Sequence, residues 1–178
     1  IFIVRLPVPV PFVDCATPNL LFVRQDDIQL FREVRKLRNT LLIGNAGIGK
    51  SWFQWIYLLF CARPDVYAAI SGEEFPPDRT ASNAPPQIIL RYTPTKLHVF
   101  FLPLGVVHVF LLREKDVSTG TLEMFDEPRV TLLYDPEDDI GGLKIPALRE
   151  LNFLVSLSPF VGRFDTWKTK IYGGDVDM

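Results

Sequence analysis

Residues 40 to 62 run from Thr-Leu-Leu-Ile through Gly-Asn-Ala-Gly-Ile-Gly-Lys-Ser to Trp-Phe-Gln-Trp-Ile-Tyr-Leu-Leu-Phe-Cys-Ala. Gly44, Gly49, Lys50 and Ser51 satisfy G-x-x-x-x-G-K-[ST] letter for letter. The spacing suits one kind of chemistry. A loop made of Gly44, Asn45, Ala46, Gly47, Ile48 and Gly49 can turn successive N–H groups inward around a phosphate chain. The positive end of a following helix dipole adds to that field. Lys50 then reaches the β- and γ-phosphates, and the Ser51 hydroxyl is placed to bind Mg²⁺. Glycine is needed because such a loop requires backbone angles that other residues avoid.

A Mg²⁺ ion held this way also needs a carboxylate at the end of a second strand. Val130-Thr131-Leu132-Leu133-Tyr134 reads as that strand, and Asp135 ends it ahead of Pro136. Asp126, Asp138 and Asp139 are competing carboxylates, and an aspartate after a strand is also ordinary turn chemistry. Many hydrolysing proteins with this loop carry a glutamate directly after the aspartate, to orient water. Here Pro136 holds that position, and Glu137, one step on, is the candidate to orient water in its place. Phe153 to Leu157 reads as a further core strand ending in Ser158-Pro159. Ser158 is either a γ-phosphate sensor or part of a Ser-Pro turn. The chain has no N-K-x-D motif, and Asp139-Ile140-Gly141-Gly142 is only a short D-x-x-G match. No arginine-rich lid of the small-molecule kinase type is present. ATP is favoured over GTP by elimination.

The elements that must position these groups follow from hydrophobic spacing. Thr40 to Ile43 suits a strand buried on both faces, and the run from Lys50 has no breaker before Pro64. That helix is apolar on nearly all sides, which calls for burial between a sheet and a covering layer. Upstream, residues 1–19 carry Pro7, Pro9, Pro11 and Pro18 and read as an irregular lead. Leu21 to Arg24 is a short apolar piece. Residues 26–38 have helical spacing, with Ile28, Phe31, Val34 and Leu37 on one face and Arg32, Arg35, Lys36 and Arg38 on a solvated one. Residues 71–87 form a polar, proline-rich loop. Three β-like runs, Ile88–Tyr92, Leu97–Leu102 and Val106–Leu112, are separated by turn signals and predict an antiparallel meander.

Composition narrows the function classes. The chain has 178 residues, 48% hydrophobic and 22% charged, with a net charge of −2. That is one domain with room for a core. There is no basic footprint for gripping nucleic acid, and no apolar run long enough to span a bilayer. Cys15 and Cys61 form neither a metal pattern nor a disulfide framework. Cys61 reads as a core residue, and His98 and His108, lying in strands without companion ligands, read as structural. Residue 1 is Ile, which leads to the expectation of a fragment whose targeting signals are missing.

Several of these segments, in this order, resemble one family. Leu21-Phe22-Val23-Arg24 ahead of an acidic helical stretch, then IGNAGIGKSWFQ, LLYDP and LVSLSP, are similar to the P-loop NTPase domain of Crinkler and retrotransposon hot spot proteins. The aromatic pair after Lys-Ser is the most distinctive piece. The resemblance covers residues 20–178. It implies Lys50, Ser51 and Asp135 as nucleotide and Mg²⁺ ligands, with Ser158 a weaker transfer, and a C-terminal effector domain absent from this chain. It also implies a protein secreted and delivered into host cells, or a nuclear one. The expectation is therefore an α/β P-loop NTPase with a mainly parallel core sheet, flanked by helices, and an inserted antiparallel meander. Its work would be Mg-ATP binding with slow hydrolysis that regulates or powers the attached domain. The alternative is a nucleotide-gated or purely structural interaction module without turnover, or a decayed paralogue.

Overall fold

Apolar runs bounded by turn residues become strands here, and the two stretches of helical spacing become helices. The computed structural model describes residues 1–6, 19–44, 49–78, 83–93, 96–111, 125–134 and 152–157. In chain order these form β1 (Phe2–Arg5), β2 (Leu20–Val23), α1 (Gln25–Lys36), β3 (Asn39–Ile43), α2 (Lys50–Ala62), α3 (Pro64–Ser71), β4 (Ile88–Thr93), β5 (Lys96–Phe101), β6 (Val106–Leu111), β7 (Val130–Tyr134) and β8 (Asn152–Leu157). Among the described residues no helix is long and apolar enough to cross a membrane.

The architecture is α/β, with six strands in one mixed sheet in the order β3-β8-β7-β4-β5-β6. The pairs β3–β8, β8–β7 and β7–β4 are parallel, whereas β4–β5 and β5–β6 are antiparallel. The expected meander is present, but it is not a separate layer. Its first strand, β4, is also the fourth parallel strand. A second expectation, that Thr40 to Ile43 is a strand buried on both faces, is corrected: β3 lies at the edge of the sheet among the described strands. Its burial shows the consequence, since Leu41 and Leu42 are only partly covered and Ile43 is 49% exposed. The strand buried throughout is β7.

Alternation along the strands feeds two apolar clusters. Ile89, Phe100, Leu133 and Leu154 face the helices and join Phe31, Phe53, Ile56, Phe60 and Tyr67. Leu90, Leu97, Val99, Leu132, Phe153 and Val155 form the cluster on the opposite face. Helix α2 is buried on several sides, as its composition requires, and packs against α1, α3 and β8. Pro64 ends it and opens α3, where a missing N–H costs nothing.

Three further expectations are revised. Part of the irregular lead is ordered, because Phe2–Arg5 pairs antiparallel with Leu20–Val23. Leu37 leaves the apolar face of α1, since the helix stops at Lys36 and Leu37 caps it, exposed. Arg35 is buried rather than solvated. Its guanidinium donates to the carbonyls of Pro76 and Ala84 and lies 4.8 Å from the centre of the Phe75 ring. The forked donors satisfy backbone oxygens of the proline-rich loop, which makes burial of the charge tolerable.

Candidate functional site

The G-x-x-x-x-G-K-S segment joins the carboxyl end of β3 to the amino end of α2, the context its chemistry requires. Gly44 follows β3 directly, and Gly49 is the N-cap of α2. Gly49 has φ +93° and ψ 21°, a left-handed conformation that disfavours any side chain. Its carbonyl accepts from the Phe53 N–H at 2.8 Å and so starts the helix. Lys50 is the first helical residue, and its Nζ turns back to donate to the Gly44 carbonyl. That contact ties the two ends of the loop together. Ser51 stands in the first turn of α2 and is exposed. Asn45, Ala46, Gly47 and Ile48 lie outside the described residues.

The sheet brings three strand ends to the same edge. Ile43 is level with Leu157, and Tyr134 with Val155, all in parallel register. The carboxyl ends of β3, β8 and β7 therefore point toward the side where α2 begins. In open α/β sheets that edge is where ligands bind. Asp135, Glu137 and Ser158 lie outside the described residues. Among the described residues no cluster of His, Cys, Asp and Glu builds a metal site by itself. A hydroxyl such as that of Ser51 suits a Mg²⁺ whose other ligands are phosphate oxygens and water.

Two residues near this segment were not singled out as site residues from sequence. Gln54 is fully buried, one turn into α2, and its Nε2 donates to the Tyr134 carbonyl and the Ser156 hydroxyl, both at 3.0 Å. It holds the helix that carries Lys50 onto the ends of β7 and β8. The available signal was one amide inside an otherwise apolar run. The second is Arg24, the residue before α1. Its Nε and a terminal nitrogen grip the Asp27 carboxylate at 3.1 and 2.9 Å, while Asp27 also accepts the Arg24 backbone N–H at 2.8 Å. Asp27 holds the guanidinium even more firmly charged than usual, chiefly through that side-chain hydrogen bond. A methyl group placed on Gly49 would stand 3.4 Å from an Arg24 nitrogen. Arg24 thus lies against the end of the glycine segment.

Between α1 and the first turn of α2 an open cleft of about 220 Å³ is lined by Arg24, Asp26, Leu30, Leu42, Gly49 and Lys50, among others. Nearby, the indole of Trp52 ties α2 to β2, because its Nε1 donates to the Phe22 carbonyl at 3.0 Å. Within one turn of Lys50, α2 is thus bonded to β2 and lies beside Arg24, the residue before α1. No protein-family model, curated protein or solved structure matches the chain.

Proposed function

We propose that the chain is a Mg-ATP-binding P-loop module, hydrolysing slowly, whose nucleotide state regulates or powers an attached effector domain of the Crinkler and retrotransposon hot spot type. One observation carries this reading. A G-x-x-x-x-G-K-S segment leaves a parallel strand and enters a buried helix, with Gly49 left-handed at the helix start and Lys50 directed back at Gly44. Lys50 would exchange the Gly44 carbonyl for phosphate oxygens, and the N–H groups at the start of α2 would face the same anion. The shared edge of β3, β8 and β7 supports Asp135 as the Mg²⁺ carboxylate and Ser158 as a γ-phosphate sensor.

The competing reading is a nucleotide-gated module without turnover, and Pro136 is what favours it. In-line attack on the γ-phosphate needs a group that orients water. A proline supplies neither a carboxylate nor a backbone N–H. Glu137 is the residue we assign to that task if hydrolysis occurs.

Calorimetric titration with Mg-ATP tests binding. The wild type should bind, and Lys50→Ala should lose about tenfold in affinity or more, about 1.4 kcal/mol, while remaining folded. Equal affinity in the folded variant would remove the loop from the site. Phosphate release at saturating Mg-ATP then separates the two readings. Turnover above the Lys50→Ala blank that disappears in Glu137→Gln supports the enzyme. Binding with release at the blank level supports the gated module.

A further inference from the structure

We propose that the cleft between α1 and the first turn of α2 is the nucleoside subsite, holding the base and sugar of the nucleotide whose phosphates lie on the glycine segment. This rests on the P-loop reading above and specifies where the rest of the ligand goes. The direction follows from the sheet. On one side of β3 lie β8 and β7, whose carboxyl ends share the edge at which Gly44 emerges. On its other side β3 has no strand neighbour among the described residues. The cleft is walled by Leu42 and Ile43 of β3, and by Gly49 and Lys50. A nucleotide with its terminal phosphates toward β7 and β8 therefore runs its other end into the cleft.

The lining chemistry suits that end. Leu30 and Leu42, both partly exposed, offer an apolar floor for a flat ring. Asp26, exposed in the first turn of α1, is an acceptor for sugar hydroxyls, a pairing carboxylates make in other nucleotide sites. Arg24 is half exposed and sits against Gly49. Its planar cation can meet the innermost phosphate or stack on a ring without leaving Asp27, which keeps a further bond to the Arg24 backbone N–H. At about 220 Å³ the cleft is small beside ligand pockets of roughly 300–1,000 Å³, which fits a base and sugar without the phosphates.

The test compares Mg-ATP with Mg-tripolyphosphate, which lacks the nucleoside. The wild type should bind ATP at least about tenfold more tightly than tripolyphosphate. Leu30→Trp fills the cleft and should abolish that preference by weakening ATP alone. Ile43→Trp does the same from the exposed rim and serves if Leu30→Trp fails to fold. Lys50→Ala should weaken both ligands. Equal wild-type affinity for the two ligands overturns the subsite while sparing the phosphate site. So does an ATP preference that survives in a folded cleft-filled variant. If the wild type binds neither ligand, the nucleotide reading falls and the subsite with it.

Discussion

The Gln54 side chain donates to the Ser156 hydroxyl at 3.0 Å, across a helix–sheet interface in which both residues are buried. With its second contact, to the Tyr134 carbonyl, it is a polar clamp in a layer made largely of aromatic rings. Gln54→Leu keeps a similar volume but removes both hydrogen bonds from a buried interface. The expected loss is about 1–3 kcal/mol of folding stability, read by urea denaturation. Ser156→Ala should cost less, and the double variant should cost less than the sum, because the two share one bond. If Gln54→Leu is as stable as the wild type, the clamp contributes nothing.

Much of this arrangement is legible in the residues. Period-two runs and their turns yield β4, β5 and β6 within a residue or two, and the run from Lys50 to Ala62 yields α2. What escapes is what depends on partners far away in the chain. The edge position of β3 is set by which strands lie beside it, and Thr40–Ile43 alone reads equally well as a central strand. Arg35 resembles its charged neighbours on α1 until the carbonyls of Pro76 and Ala84 arrive to receive it. Leu37 fits the apolar spacing of α1 but falls one residue beyond its end. In the site, Gly49, Lys50 and Ser51 are recognised by spacing, because the loop chemistry is local. Gln54 acts across the chain, and a lone amide in an apolar run is all that marks it. Arg24 bonds locally to Asp27, but its place against Gly49 is set by the fold.

Gly49 and Gly72 both have positive φ, +93° and +72°, but only the first has a neighbour where a side chain would grow. Alanine at either position should cost about 1–2 kcal/mol from the left-handed backbone alone. At Gly49 the new methyl meets the Arg24 guanidinium at 3.4 Å, an ordinary contact, so the strain falls on the left-handed backbone that starts α2. Gly49→Ala should therefore weaken Mg-ATP binding, whereas Gly72→Ala should lower stability with no effect on affinity. Equal affinities in both variants would separate Arg24 and the helix start from ligand binding.

Cys61 lies fully inside the α2 interface, and burial, the largest influence, pushes its thiol up to about 12. The reactive form is the thiolate, so this residue should resist alkylation at neutral pH. In a Cys15→Ser background, which leaves Cys61 as the sole thiol, maleimide should label the protein only after denaturant is added. Labelling at the rate of a free peptide thiol under native conditions would contradict the packing around α2.

His98 supplies the pH dependence that the fold itself predicts. It is buried on β5, in register with Arg91 and stacked near Phe100 with ring centres 6.2 Å apart. Its imidazole pKa is lowered, first by burial. The Arg91 and Lys96 charges push the same way, against a backbone hydrogen bond at Arg91 that opposes the shift. The unfolded chain, with an ordinary histidine near 6.5, then binds a proton that the folded chain refuses. In the window from that value down to the lowered native one, the unfolded state carries more protons, so stability falls as pH falls. Above the window both states are neutral and the contribution is fully present. His98→Asn removes the titration, so its stability should decline less than that of the wild type between about pH 7 and 5. Denaturant midpoints measured across that range for both proteins supply the comparison, and the shared carboxylates cancel in the difference. Parallel curves would mean that His98 accepts its proton in the folded state as readily as in the unfolded one, and the burial argument for β5 would fail.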